Sequence, residues 1–175
     1  ITQRQLGIDT RSFNDALRTV VRQDPNVILV GEMRDKDTVH TALTAAETGH
    51  LVLSTMHTGD TIETINRLMD FFPESEQRMI RIKLASCLRA IVSQRLVPRK
   101  EGVGRVAAVE VLIGTTLVKE IIREGVELGK LSRLMEEGEE VYGMQTFDRA
   151  LYNLWEQDII SRATALEFAT HPQDL

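Results

Sequence analysis

The chain has 175 residues, 42% hydrophobic and 27% charged, with a net charge of −5. That is enough for one sizeable core, or one core with a small appended subdomain, and it leaves no overall electrostatic footprint for nucleic acid or anionic lipid. The single cysteine, Cys87, excludes an internal disulfide and a thiolate zinc cluster and agrees with a reducing cytosol; no apolar run approaches the roughly 20 residues of a transmembrane helix.

The first residue is Ile1 rather than Met, so the chain reads as a piece of a longer protein. Residues 1–6 fit either an edge strand or a loop. Ser12-Phe13-Asn14-Asp15 has the form of a capping box, and Phe13, Ala16, Leu17, Val20 and Val21 follow helical spacing until Asp24-Pro25 ends the helix. Next comes Val27-Ile28-Leu29-Val30, an apolar run without alternation that predicts a strand covered on both faces. Gly31, Glu32, Met33, Arg34 and Asp35 follow at once. Asp35 or Asp37 can cap a helix with Val39, Ala42, Leu43 and Ala46 on one face, closed by Gly49. A second apolar run, Leu51-Val52-Leu53, leads into Ser54-Thr55-Met56-His57-Thr58.

Strand, helix and strand of these lengths predict a right-handed βαβ unit with parallel strands. Glu32 follows the first strand and His57 the second, so both are expected on one edge of the sheet, where open α/β sheets bind ligands. A carboxylate there can orient and deprotonate a water, or hold a magnesium ion through water. The hydroxyls of Ser54, Thr55, Thr58 and Thr61 can donate to phosphate oxygens or satisfy backbone groups at a strand end. His50 and His57 bracket the second strand, so a metal site built from His50, His57 and Glu32 is not expected.

Asp60-Thr61-Ile62-Glu63 resembles another capping box, opening a helix through Met69. Pro73 begins a longer helix with Ile80, Leu84, Cys87, Leu88 and Ile91 facing inward, running until Pro98 stops it. Its cations, Arg78, Arg81, Lys83, Arg89 and Arg95, form a solvated face or a subunit contact. Residues 99–104 then read as a charged, glycine-containing boundary, and residues 105–113 as a strand returning to the sheet. From Gly114 the pattern is helical: Leu117, Ile121 and Ile122 form one short face, and Leu128, Leu131, Leu134 and Met135 another. Thr146 and Ser161 cap the last two helices. Nowhere in the chain is there a GxxxxGK stretch followed by Ser or Thr, the loop that cradles nucleotide phosphates.

Residues 22–35, RQDPNVILVGEMRD, closely resemble the Walker B region of secretion ATPases of the type II/type IV pilus superfamily, and residues 44–58, TAAETGHLVLSTMHT, resemble their histidine box. The likeness extends through Gly143-Met144-Gln145-Thr146-Phe147-Asp148 into the last helices. Within the superfamily the chain most resembles the pilus-retraction ATPases of twitching motility. Pro98 leads straight to a short connection where extension and secretion relatives carry a four-cysteine zinc insertion. Leu117-Val118-Lys119-Glu120-Ile121-Ile122-Arg123-Glu124 occupies the place of a motif reading approximately AIRNLIRE, matching its second half (Ile121, Ile122, Arg123, Glu124) and not its first (Leu117).

The resemblance implies an α/β fold: residues 1–113 as the C-terminal part of a RecA-like P-loop NTPase core, and residues 114–175 as a helical subdomain. It implies a ring of six subunits at the cytoplasmic face of the bacterial inner membrane, with ATP and Mg2+ as substrate and cofactor and a membrane platform protein as partner. Glu32 would activate the attacking water as the Walker B acid, with His57 beside it. His57 and His50 would be the histidine-box residues that couple nucleotide state to domain movement, with Thr55 and Thr58 in the same stretch. Arg22 and Arg34 would reach a subunit interface. The glycine-rich loop would precede Ile1, so the chain alone is expected to be inactive. A pilus-extension or type II secretion ATPase, and a non-catalytic adaptor docking a platform protein, are the alternatives.

Overall fold

Two β-strands, β1 (Val27–Val30) and β2 (Leu51–Ser54), pair in parallel with Val27 opposite Leu51 and Val30 opposite Ser54. Helix α2 (Lys36–Glu47) makes the crossover between them, as the βαβ pattern predicts. The geometry is that of a computed structural model describing residues 2–5, 7–23 and 25–175, with the backbone alone at 14, 21 and 174. Ile1 and Leu6, at the ends of the first segment, and Asp24, expected to help end the first helix, lie outside the described residues. Residues 2–5 form neither helix nor strand.

The chain divides into two compact units, the first comprising 1–57 and 66–88 and the second 58–65 and 89–175. In the first, helix α1 (Phe13–Val21) opens on Ser12, whose Oγ accepts from the Asp15 N–H at 3.0 Å. Asp35 caps α2 with both carboxylate oxygens, one accepting from the Thr38 N–H at 2.8 Å and the other from the Thr38 hydroxyl at 2.9 Å. Leu17 from α1 and Ala45 from α2 bury Ile28 and Val30, with Val20 and Val52 at the margin. Helix α3 (Thr61–Asp70) begins in the second unit and ends in the first. It is followed by α4 (Glu74–Cys87), tied to α2 by Lys36–Glu76 at 2.7 Å and Lys83–Glu47 at 2.6 Å.

The strand expected to be covered on both faces is covered on one. Val27 and Leu29 of β1 are exposed, Leu29 to 72%, as are Leu51 and Leu53 opposite them. Among the described residues the sheet has two strands, and α1 and α2 both lie on the side of Ile28 and Val30. On α2, Ala45 rather than Ala46 joins the buried set.

The second unit is built on an antiparallel hairpin, β3 (Ala90–Pro98) with β4 (Arg105–Ile113), in register from Ala90–Ile113 to Pro98–Arg105. Three expectations fail here. The long helix ends at Cys87, and Leu88 turns extended, so Arg89 and Arg95 are not on it. Residues 99–104 are the turn of the hairpin rather than a boundary, and β4 pairs with β3 and not with the parallel sheet. The difference has a physical cause: Ile91 continues the helical spacing of Ile80, Leu84 and Leu88, while the alternation of β3 is masked by polar residues on its inner face. Ser93 is buried there, and the Arg95 guanidinium stacks 3.9 Å from the Phe147 ring centroid.

Helices α5 (Thr116–Glu124), α6 (Lys130–Glu137), α7 (Glu139–Tyr142), α8 (Phe147–Glu156) and α9 (Arg162–Phe168) complete the unit, followed by a 3₁₀ turn (Pro172–Asp174). Thr146 and Ser161 cap α8 and α9 as expected. Phe147, Ala150, Leu151, Ile160 and Ala165 close over Val97 and Ala108 of the hairpin. On α5 the buried face is Val118 and Ile122, while Leu117 points out, correcting the expected set. Among the described residues no helix is long and apolar enough to cross a membrane.

Candidate active site at the ends of the parallel strands

Because β1 and β2 run in the same direction and in register, the residues after Val30 and after Ser54 leave the sheet at the same edge. The chain continues the pairing past both strands. The Thr55 hydroxyl donates to the Gly31 carbonyl at 2.6 Å, and the Met33 N–H donates to the Thr55 carbonyl at 3.2 Å. Glu32 sits between these two anchors.

The Glu32 carboxylate, 22% exposed, has a basic group at each oxygen. His57 Nε2 lies 3.5 Å from Oε1, and Arg34 Nε lies 2.6 Å from Oε2. Both bases are largely open to solvent, His57 at 84% and Arg34 at 74%. Ion pairs this exposed are worth about 0–1 kcal/mol and exchange readily for other partners. A carboxylate offers about four lone-pair positions, so Glu32 keeps acceptor capacity for a water while both neighbours are in place. The arrangement is one acid, one imidazole and one guanidinium around a strand end. It suits proton transfer from water beside an anionic group.

The other candidates distribute differently. His50 lies at the opposite end of β2, its Nδ1 2.9 Å from the Ala45 carbonyl oxygen and 3.3 Å from the Thr48 hydroxyl. Thr58 belongs to the second unit, where its hydroxyl pairs with that of Thr64 at 2.7 Å. Arg22 caps α1 and, with Asp15, Arg18, Thr19 and Gln23, lines an open cavity of about 430 Å³ that does not include Glu32. Arg34, grouped by sequence with Arg22, pairs with Glu32 and is largely open to solvent. Ile121, Ile122, Arg123 and Glu124 close α5, whose Ile121 carbonyl accepts from the left-handed Gly125. Among the described residues no three His, Cys, Asp or Glu side chains group as a metal site.

Of the two roles open to the Thr55 hydroxyl, phosphate donor or partner of a backbone group at a strand end, the structure has it on a backbone group, the Gly31 carbonyl. One feature escapes sequence reasoning: Glu110, buried on β4, whose Oε1 accepts from the Thr61 N–H at 2.9 Å at the start of α3. Its signal was present: a carboxylate between Val109 and Val111 at an inward position of a strand demands a partner.

Comparison with known proteins gives a consistent picture. The sequence pattern of the family described as Type II/IV secretion system protein matches residues 3–116. The type IV pilus retraction ATPase PilT of Pseudomonas aeruginosa is 45% identical over 174 residues, covering 99% of this chain and 50% of its own length. The type IV pilus ATPase PilU of the same organism is 43% identical, covering 100% of this chain and 45% of its own length. A crystal structure of the pilus retraction motor PilT with bound ADP superposes with a TM-score of 0.84 at 46% identity, covering 99% of this chain and 48% of that one. The chain thus spans about half the length of the curated relatives it matches.

Proposed function

The chain belongs to the Type II/IV secretion system protein family, and from that premise we propose that it is the C-terminal part of a hexameric motor ATPase that drives retraction of type IV pili. The observation that supports this reading most is the approach of His57 to Glu32 at 3.5 Å on the shared edge of the parallel pair. Glu32 orients a water and takes its proton as the water oxygen bonds to the terminal phosphorus of ATP and the bond to the leaving diphosphate breaks. His57, beside the same carboxylate, senses the terminal phosphate; with His50, Thr55 and Thr58 it couples nucleotide state to movement. Phosphoryl transfer asks the protein mainly for positioning and charge stabilisation, which suits a site of this composition.

The donor set fits the hydrolytic end of a magnesium nucleotide and not its cradle. Glu32 is the carboxylate that would hold magnesium through water, and the ion would neutralise charge on the phosphate oxygens when bound. The chain has no GxxxxGK stretch, so the rest of a polypeptide of the relatives' length supplies the phosphate loop, and this part alone does not turn over ATP. The hexamer works in the cytoplasm at the inner face of the inner membrane, against a platform protein there, with Arg22 toward a neighbouring subunit.

The test is Glu32→Gln in the full-length protein. It should bind ATP normally and lose about 10²–10⁴-fold in turnover. Turnover close to wild type would remove Glu32 from this role. A deletion strain should keep its pili and fail to retract them; loss of the pili themselves would point to extension instead.

A further inference from the structure

The two peptide groups that set the backbone of Glu32 are both held by one residue, Thr55, just past the end of β2. The carbonyl of Gly31, before it, accepts the Thr55 hydroxyl at 2.6 Å. The N–H of Met33, after it, donates to the Thr55 carbonyl at 3.2 Å. The last regular pair of the ladder is Val30 with Ser54; past it the two bonds of Thr55 go to Gly31 and Met33 and so centre on Glu32. In a parallel pair the bonds are evenly spaced and slanted, each residue bonding to those on either side of its partner. Here the side chain of Thr55 adds a bond to the main-chain one, which makes a bracket around a single residue.

From this geometry we infer that Thr55 is a positioning residue for Glu32: its hydroxyl, through Gly31, fixes where the carboxylate stands. The inference rests on the reading of Glu32 as the base. Among the described residues the Thr55 hydroxyl is the one donor to the Gly31 carbonyl, and Gly31 is exposed. Without the hydroxyl that carbonyl turns to solvent, and the peptide between Gly31 and Glu32 gains freedom to rotate. Among the described residues the bonds of Thr55 in this bracket go to the backbone on either side of Glu32 and not to its carboxylate, so its effect through the bracket falls on the chemical step and not on nucleotide affinity. A misplacement of about 1 Å can cost on the order of 100-fold in rate.

The experiment compares Thr55→Val, Thr55→Ser, Glu32→Gln and the Thr55→Val/Glu32→Gln double variant in the full-length protein. Valine keeps the shape and removes the hydroxyl; serine keeps the hydroxyl and removes the methyl. Thr55→Val should lower kcat about 10- to 100-fold with KM for ATP within about twofold, Thr55→Ser should restore kcat to within about threefold of wild type, and the double variant should be no slower than Glu32→Gln. Amide exchange at residues 32 and 33 should quicken in Thr55→Val and not in Thr55→Ser. Wild-type kcat in Thr55→Val, equal loss in the serine variant, or an additive loss in the double variant overturns the inference while Glu32→Gln remains slow. Near-normal turnover in Glu32→Gln instead overturns the assignment of the base. If the valine variant does not fold, Thr55→Ala takes its place against the same serine control.

Discussion

Arg34 Nε and Glu32 Oε2 lie 2.6 Å apart, an ion pair formed within the turn that joins β1 to α2. Arg34 itself is open to solvent, and its backbone is flanked by the anchored Met33 and by the cap residue Asp35. The side chain can therefore leave Glu32 without disturbing the fold. Arg34→Ala should shift unfolding stability by less than about 1 kcal/mol, measured by urea titration. A larger loss would mean that the pair supports the turn and is not an exchangeable surface contact.

Glu110 predicts the opposite behaviour. Its carboxylate is buried and accepts the Thr61 N–H, one of the unpaired donors at the start of α3. Removing the acceptor leaves a buried N–H without a partner, at a cost of about 1–3 kcal/mol. Glu110→Ala should lose that much in denaturant unfolding, and Glu110→Gln, which keeps an oxygen in place, should lose clearly less. Equal losses would refute the capping role.

Val27, Leu29, Leu51 and Leu53 form two facing pairs on an exposed sheet surface. Contiguous apolar surface of this kind drives association when nothing covers it. The chain produced by itself should scatter light at modest concentration, and Leu29→Lys with Leu53→Lys should suppress the scattering while leaving the far-ultraviolet circular dichroism unchanged. Persistent association in the double variant would put the adhesive surface elsewhere.

Gly31 supplies a fourth case. Its φ is not left-handed, and a Cβ built there would meet no atom within 4 Å. Gly31→Ala should leave the melting temperature of this chain within about 2 °C, since no steric or conformational term opposes it. Should the same substitution depress turnover in the full-length protein, the loss would report close approach of substrate or of another segment to that backbone. A destabilised chain would show instead that Gly31 is needed for the turn.

What was legible in the sequence follows period and punctuation. The Val27–Val30 run, the Asp35 cap and the Leu51–Leu53 run specify strand, helix and strand, and parallel pairing then carries Glu32 and His57 to one edge. The hairpin was hidden because Ser93 and Arg95 occupy inward positions that a binary pattern assigns to solvent, their partners being distant in sequence. The exposed face of β1 was hidden for a different reason. An unbroken apolar run records what a strand needs covered, and in this chain only one of its faces is. The Thr55 hydroxyl was legible as a donor at a strand end, but its partner Gly31 was not, because a one-residue slip of register would have sent it elsewhere and register is not written in either strand alone.

Asp35 engages both the N–H and the hydroxyl of Thr38, so the segment carrying Glu32 is moored to the helix on one side and to the strand end on the other. An acid fastened this way behaves as an anvil. If Glu32 is the base proposed above, timing comes from what is brought against it, and engineering aimed at speed should alter the approaching parts and leave the anvil alone.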